Sequence, residues 1–174
     1  AAAGLRHPLD HFWSLSVEQQ FYWLWPVAFL ALAAFARRRR TSPAWPVGVV
    51  TLAFCAAAPV IAVVWGPDAA YWATPARLGE ILVGALLACV LAGVELSHRW
   101  SIAAPLALAG LVIAFVAFPD GRGPAYEGWL PLVAVVSALL IVGLQPRAWP
   151  RRLLSARPLV AIGRVSYGIY IVHW

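Results

Sequence analysis

From Trp13 to Ala36 the chain runs almost without charge into four consecutive arginines, Arg37 to Arg40. As a helix that run is about 36 Å long at 1.5 Å per residue, more than the thickness of a bilayer's hydrocarbon core. A segment of this length, stopped by a block of fixed charge, predicts a membrane-spanning helix. Its head is not apolar, however. At 100° per residue, His11, Ser14, Glu18 and Tyr22 fall within roughly an 80° arc of one face. An ionisable group at membrane depth costs at least about 2.5 kcal/mol on insertion scales, so Glu18 is expected to face other helices or a water-filled cavity. Pro26 removes a hydrogen bond to the Tyr22 carbonyl and predicts a kink just beyond the polar stripe. A packing kink and a carbonyl freed for a ligand both fit that position.

The rest of the chain has the same character. Hydrophobic residues make up 63% of it and charged residues 11%, and the mean hydropathy is +0.79; soluble domains are typically about 25% charged. The net charge of +6 comes from 13 arginines, with no lysine, against 7 acids. Nine of the thirteen are confined to three bands between apolar runs: Arg37 to Arg40, Arg99, and the set Arg147, Arg151, Arg152 and Arg157. A nucleic-acid-binding face would spread them over a soluble surface, so no nucleic-acid partner is expected. Bands of this kind follow the positive-inside rule of multi-pass membrane proteins.

The predicted fold class is therefore all-α, a polytopic transmembrane helix bundle with about six spans, at residues 13–36, 46–65, 78–96, 101–118, 129–144 and 158–174. Counting crossings places the three arginine bands on one side, taken as cytoplasmic, and the polar loops at Asp68 and Asp120 on the other. The chain has no Met and breaks off at Trp174 within an apolar segment, so it reads as an internal piece of a larger membrane domain. Cys55 and Cys89 fall within spans, without CxxC spacing, and read as small apolar fillers rather than as a metal or redox pair.

Two further stretches carry polar groups into apolar helices. In Tyr71 to Ala88, Arg77 and Glu80 are three residues apart and can meet across one turn. Glu80, Gly84, Ala88 and Ala92 recur every four residues, a small-residue ridge that predicts close approach of another backbone. The Arg77–Glu80 pair fits a structural ion pair at a helix mouth, and equally a functional pair lining a polar cavity. In the last span Ser166, Tyr167, Tyr170 and His173 share a face, with Tyr167 and Tyr170 placed to hydrogen-bond inside a bundle and Trp174 suited to an interface.

The stretch HFWSLSVEQQFYWLWP at 11–26 resembles the hallmark segment of the acyltransferase 3 family, membrane O-acyltransferases that typically read H-x-WSL-x-VEEQFY-x-x-WP. TPARLGEILVGALLA and PLVAIGRVSYGIYIVHW are similar to two later segments of that family, in the family's order. One departure is Gln19, where the family usually carries a second Glu; Glu18 is kept, and a role needing paired carboxylates there is put in doubt. The resemblance implies a fold of about ten spans, of which residues 1–174 would be a single partial domain, inactive alone. It also implies transfer of an acyl group, commonly acetyl from cytoplasmic acetyl-CoA, to a hydroxyl of an extracytoplasmic glycan or other envelope acceptor. Acyl-CoA would be a donor substrate, with no bound cofactor. The family's catalytic His and arginine pair belong to helices ahead of this segment, so none of the four His here inherits that role by default.

Acyl transfer to an alcohol needs a base for the hydroxyl proton and donors for the oxyanion. Glu18, with His11 in support, is expected on the acceptor side. Arg77, Glu80, Ser14, Tyr22, Tyr167, Tyr170 and His173 are expected to bind substrate or line the cavity, and for His11 and His173 a structural hydrogen bond remains an equal alternative. A non-catalytic scaffold and a transporter or flippase also accommodate intramembrane Glu and Arg beside kinking prolines. The transporter reading does not account for three segments in one family's order, and a non-catalytic scaffold is expected if the upstream half lacks the family's His and arginine pair.

Overall fold

In the computed structural model, residues 12–118 and 123–172 are described. Among them the chain is all helical. The first helix, α1 (Phe12–Arg38), continues through Pro26. Its packed side is an i, i+4 ladder in which Phe21 stacks on Trp25 at 5.3 Å between ring centroids and Trp25 meets Phe29 at 5.8 Å. The arginine block ends it. Arg40 takes the left-handed conformation, φ 55°, while the Thr41 N–H donates back to the Ala36 carbonyl at 2.9 Å and so satisfies one of the last open carbonyls.

The chain then reverses into α2 (Ala44–Trp65), turns at Gly66, and makes a one-turn helix, α3 (Pro67–Trp72). Next come α4 (Thr74–Leu91), a 3₁₀ turn at His98–Ile102, and α5 (Ala103–Ala117). After the loop follow α6 (Leu130–Leu144), a short α7 (Trp149–Leu154) and α8 (Arg157–Val172). Helices α3 and α7 lie in stretches that the hydropathy pattern reads as loops, and α4 begins at Thr74 rather than 78. The cause is common to all three: Pro67, Pro75 and Pro150 each occupy the first turn of a helix, where proline's fixed φ favours initiation and its missing N–H costs nothing.

By length and composition Ala44–Trp65, Thr74–Leu91 and His98–Ala117 can each cross a membrane, and Leu130–Leu144 is a shorter apolar helix. The helices α2, α4, α6 and α5 pack side by side in that order, and α1 leans on α2 and α4. Within the row α2 and α4 run antiparallel: a Cβ on Gly48 would touch Leu86, Thr51 reaches Leu82, and Cys55 reaches Gly79. The α5–α6 pair is antiparallel too, with Gly143 against the Ala104 backbone and Gly110 against Val136.

The close approach on α4 does not use the ridge that the sequence suggests. Gly84 is exposed and nothing lies within 4 Å of the position its Cβ would take, whereas at Gly79 that position is 2.9 Å from the Cys55 nitrogen. Ala76, Gly79 and Leu82 are the buried residues of α4, so the face pressed on α2 is an i, i+3 row. Glu80 and Gly84 turn instead toward α6. Thr51, buried at this seam, donates its hydroxyl either to the Val47 carbonyl at 2.8 Å or to the Leu82 carbonyl of the opposite helix at 3.3 Å.

These pairings give the bundle two ends. The arginine block after α1, the Arg99 turn and the Arg147–Arg157 stretch all lie where α2 and α5 begin and α4 and α6 finish. The α3 segment and the residues before α6 meet at the other end, where Gly128, at φ 86°, sits against the Ala58 and Pro59 backbone of α2.

Candidate functional site

The polar centre of the bundle is built at the end away from the arginine bands. Arg77, in the first turn of α4, donates from one Nη1 to both Glu80 carboxylate oxygens, at 3.0 and 3.2 Å. Its Nε donates to the Tyr71 carbonyl at 3.1 Å, and its guanidinium lies 4.5 Å from the centre of the Tyr71 ring. The opposite face of the arrangement is closed by Tyr126, whose ring stacks on Tyr71 at 4.2 Å with an interplanar angle of 11°. Arg77 is thus held by an ion pair, a carbonyl and an aromatic face at once. The side chains of Arg77 and Glu80 are only 17% and 26% exposed. Such a pair, largely out of water, is costly to break from one side, because the charge left behind loses its partner.

Glu80 also opens onto a groove of about 340 Å³ between α4 and α6, with Gly84 on one wall and Ser137 on the other. Gly84 leaves room there because it has no side chain. Ser137 gives its own hydroxyl hydrogen to the Val133 carbonyl at 2.9 Å. Among the described residues no cluster of His, Cys, Asp and Glu is suited to a metal.

The other residues singled out by the sequence are not drawn to this centre. Glu18 and Tyr22 are exposed on α1, and Gln20, on the same helix, donates to Ser16 at 3.4 Å. Ser14 is in the first turn of α1, with its side chain outside those described. His11 and His173 lie outside the described residues. Tyr167 is exposed and Tyr170 half-buried on α8, a helix with little contact to the row. The expectation that Glu18 faces other helices is therefore not met by the helices described here. Its placement along the bundle is informative all the same: Glu18 is twenty residues from the arginine end of α1, about 30 Å along the helix. Glu80 lies in the second turn of a helix that starts at the opposite end from the arginines.

Tyr71 and Tyr126 are the neighbours that sequence reading missed. Tyr71 is six residues from Arg77 and on a separate short helix, so no single-helix periodicity joins them. The available signal was that both tyrosines lie in polar loops assigned to the same side of the membrane.

The family model described as an acyltransferase domain matches residues 4–174. The chain belongs to the acyltransferase 3 family. A Bacillus subtilis relative named "Putative peptidoglycan O-acetyltransferase YrhL" is 33% identical over 98% of this chain and 28% of its own length. Peptidoglycan O-acetyltransferase OatA of Listeria monocytogenes is 30% identical over 98% of this chain and 29% of its own length. The chain thus spans less than a third of the length of these curated relatives. No solved structure matches.

Proposed function

We propose that this chain is part of a multi-pass cell-membrane O-acetyltransferase that moves an acetyl group from acetyl-CoA to a hydroxyl of a cell-wall glycan. The observation that carries the reading is the family match along residues 4–174; the names of the relatives supply the acceptor class. In this reading the arginine end faces the cytoplasm and the Arg77–Glu80 end faces the envelope, in keeping with the positive-inside rule.

The acceptor hydroxyl oxygen attacks the thioester carbonyl, its proton passes to a base, and collapse of the oxyanion breaks the carbon–sulfur bond and releases CoA. On α1, Glu18 with His11 orients or polarises the centre from the acceptor side, and the family's catalytic His comes from preceding helices. Arg77, already oriented by Glu80, Tyr71 and its carbonyl, holds the mouth of the cavity open to polar substrate, with no rearrangement needed. Ser14, Tyr22, Tyr167, Tyr170 and His173 complete the lining once the preceding helices cover α1 and α8. That α1 and α8 carry motif residues on open faces supports this division.

The test uses membranes holding the full-length protein, supplied with acetyl-CoA labelled in the acetyl group. Label is expected in wall glycan as an ester released by mild base. Membranes that release free CoA without labelling any envelope polymer would remove the proposed acceptor, and membranes that do neither would remove the activity.

A further inference from the structure

At the arginine end, where the turn between α4 and α5 meets the turn between α6 and α7, the bundle carries an open hollow of about 600 Å³, with its arginine and histidine side chains exposed. That volume is within the usual range of small-molecule sites, about 300 to 1,000 Å³. Arg147 and Arg151 stand on one wall and His98 on the other. Arg151 is anchored, since its Nη1 donates at 3.1 Å to the carbonyl of Gln145, the C-cap of α6; its other N–H groups have no partner among the described residues. Arg147 makes no hydrogen bond or ion pair among the described residues. Glu95 shares the hollow, yet the one ion pair among the described residues is Arg77–Glu80 at the far end. Glu95 therefore neutralises neither guanidinium by direct pairing.

Unpaired guanidinium groups on a concave wall concentrate anions, and their planar fork matches phosphate oxygens. The remaining wall, from Val94, Leu96 and Pro146, is apolar and suits the face of a nucleobase. We propose that this hollow binds the phosphate-bearing nucleotide portion of the CoA donor, with Arg147 the principal phosphate contact and Arg151 the second. The inference rests on the proposed acetyl-CoA-dependent transfer and on the basic end being the donor side. Size favours a nucleotide over a single lipid phosphate, which would leave most of the volume unfilled.

The experiment takes the full-length protein in discs of uncharged phosphatidylcholine and measures equilibrium binding of labelled CoA. Arg147→Gln is expected to weaken CoA about tenfold, the loss of one charge-assisted hydrogen-bonded contact. Pantetheine, which lacks the phosphates, should compete equally weakly against both proteins. Arg38→Gln, which removes a charge at the same end but outside the hollow, should change nothing. In the transfer assay Arg147→Gln should raise KM for acetyl-CoA and leave kcat in place. Undiminished CoA affinity in Arg147→Gln overturns the proposal. So does a finding that the substitution alters only the response to added phosphatidylglycerol, which would assign the hollow to lipid headgroups. Arginine-dependent CoA binding in a wild-type protein that transfers no acetyl group would uphold this site and refute the proposed function, so the two can fail separately.

Discussion

Replacing Gly79 by Ala tests the seam that holds α4, and with it Arg77 and Glu80, against α2. The added Cβ would lie 2.9 Å from the Cys55 nitrogen, 3.0 Å from the Phe54 carbonyl carbon and 3.1 Å from the Cys55 Cα. All three are backbone atoms, and comfortable carbon contacts are about 3.5 to 4.0 Å, so the helices must separate by roughly half an ångström. The Thr51 contact to the Leu82 carbonyl, already 3.3 Å, would then exceed hydrogen-bonding distance. Overpacking of this kind costs typically about 1 to 3 kcal/mol, and an interhelical hydrogen bond in a membrane adds about 0.6 kcal/mol. Gly84→Ala is the control, because its Cβ meets nothing within 4 Å. Both substitutions gain the same helix propensity, about 1 kcal/mol, so their difference isolates the clash. We expect Gly79→Ala to be about 2 kcal/mol less stable than Gly84→Ala when the full-length protein is unfolded reversibly in mixed detergent. Equal stability of the two variants would refute the argument that α2 and α4 meet at Gly79.

Arg77→Ala should destabilise the protein by about 3 kcal/mol, since it leaves the Glu80 carboxylate without its cation; the double change with Glu80→Gln should recover part of that loss in the same unfolding measurement. Glu18→Gln should lower acetyl transfer at least about tenfold at equal protein level, a loss of about 1.4 kcal/mol of transition-state stabilisation, if that carboxylate orients or polarises the reacting centre; unchanged transfer would remove Glu18 from the site. Gly128→Ala combines a left-handed backbone with a Cβ placed 2.5 Å from the Pro59 nitrogen. It should reduce the amount of folded protein recovered from membranes, whereas alanine at Gly84 in α4, where nothing lies within 4 Å, should not.

Two kinds of information separate cleanly in this chain. Fold class and family were legible because they rest on properties each segment carries by itself: apolar runs long enough to span, charge blocks that stop them, and three motifs in fixed order. The meeting of Arg77 with Glu80 was legible for the same reason, being a contact across one helical turn. The Tyr71–Tyr126 stack was not, since it joins the short helix α3 to a loop more than fifty residues further on, brought together only by the antiparallel and parallel pairing of four helices.

What the sequence determined by itself is where the long apolar helices fall, though not the short α3 and α7 between them, and which ends carry the arginines, because these follow from hydropathy, charge placement and transfer energy alone. Only the tertiary structure decided that Gly79 rather than Gly84 meets a neighbouring backbone, that Glu80 turns toward α6, and that two turns at the basic end meet around an open hollow. Helix rotation is responsible: a shift of one residue turns a side chain by 100°. In an apolar helix with several small residues, more than one face can satisfy the lipid, so the choice among them is made by packing between helices.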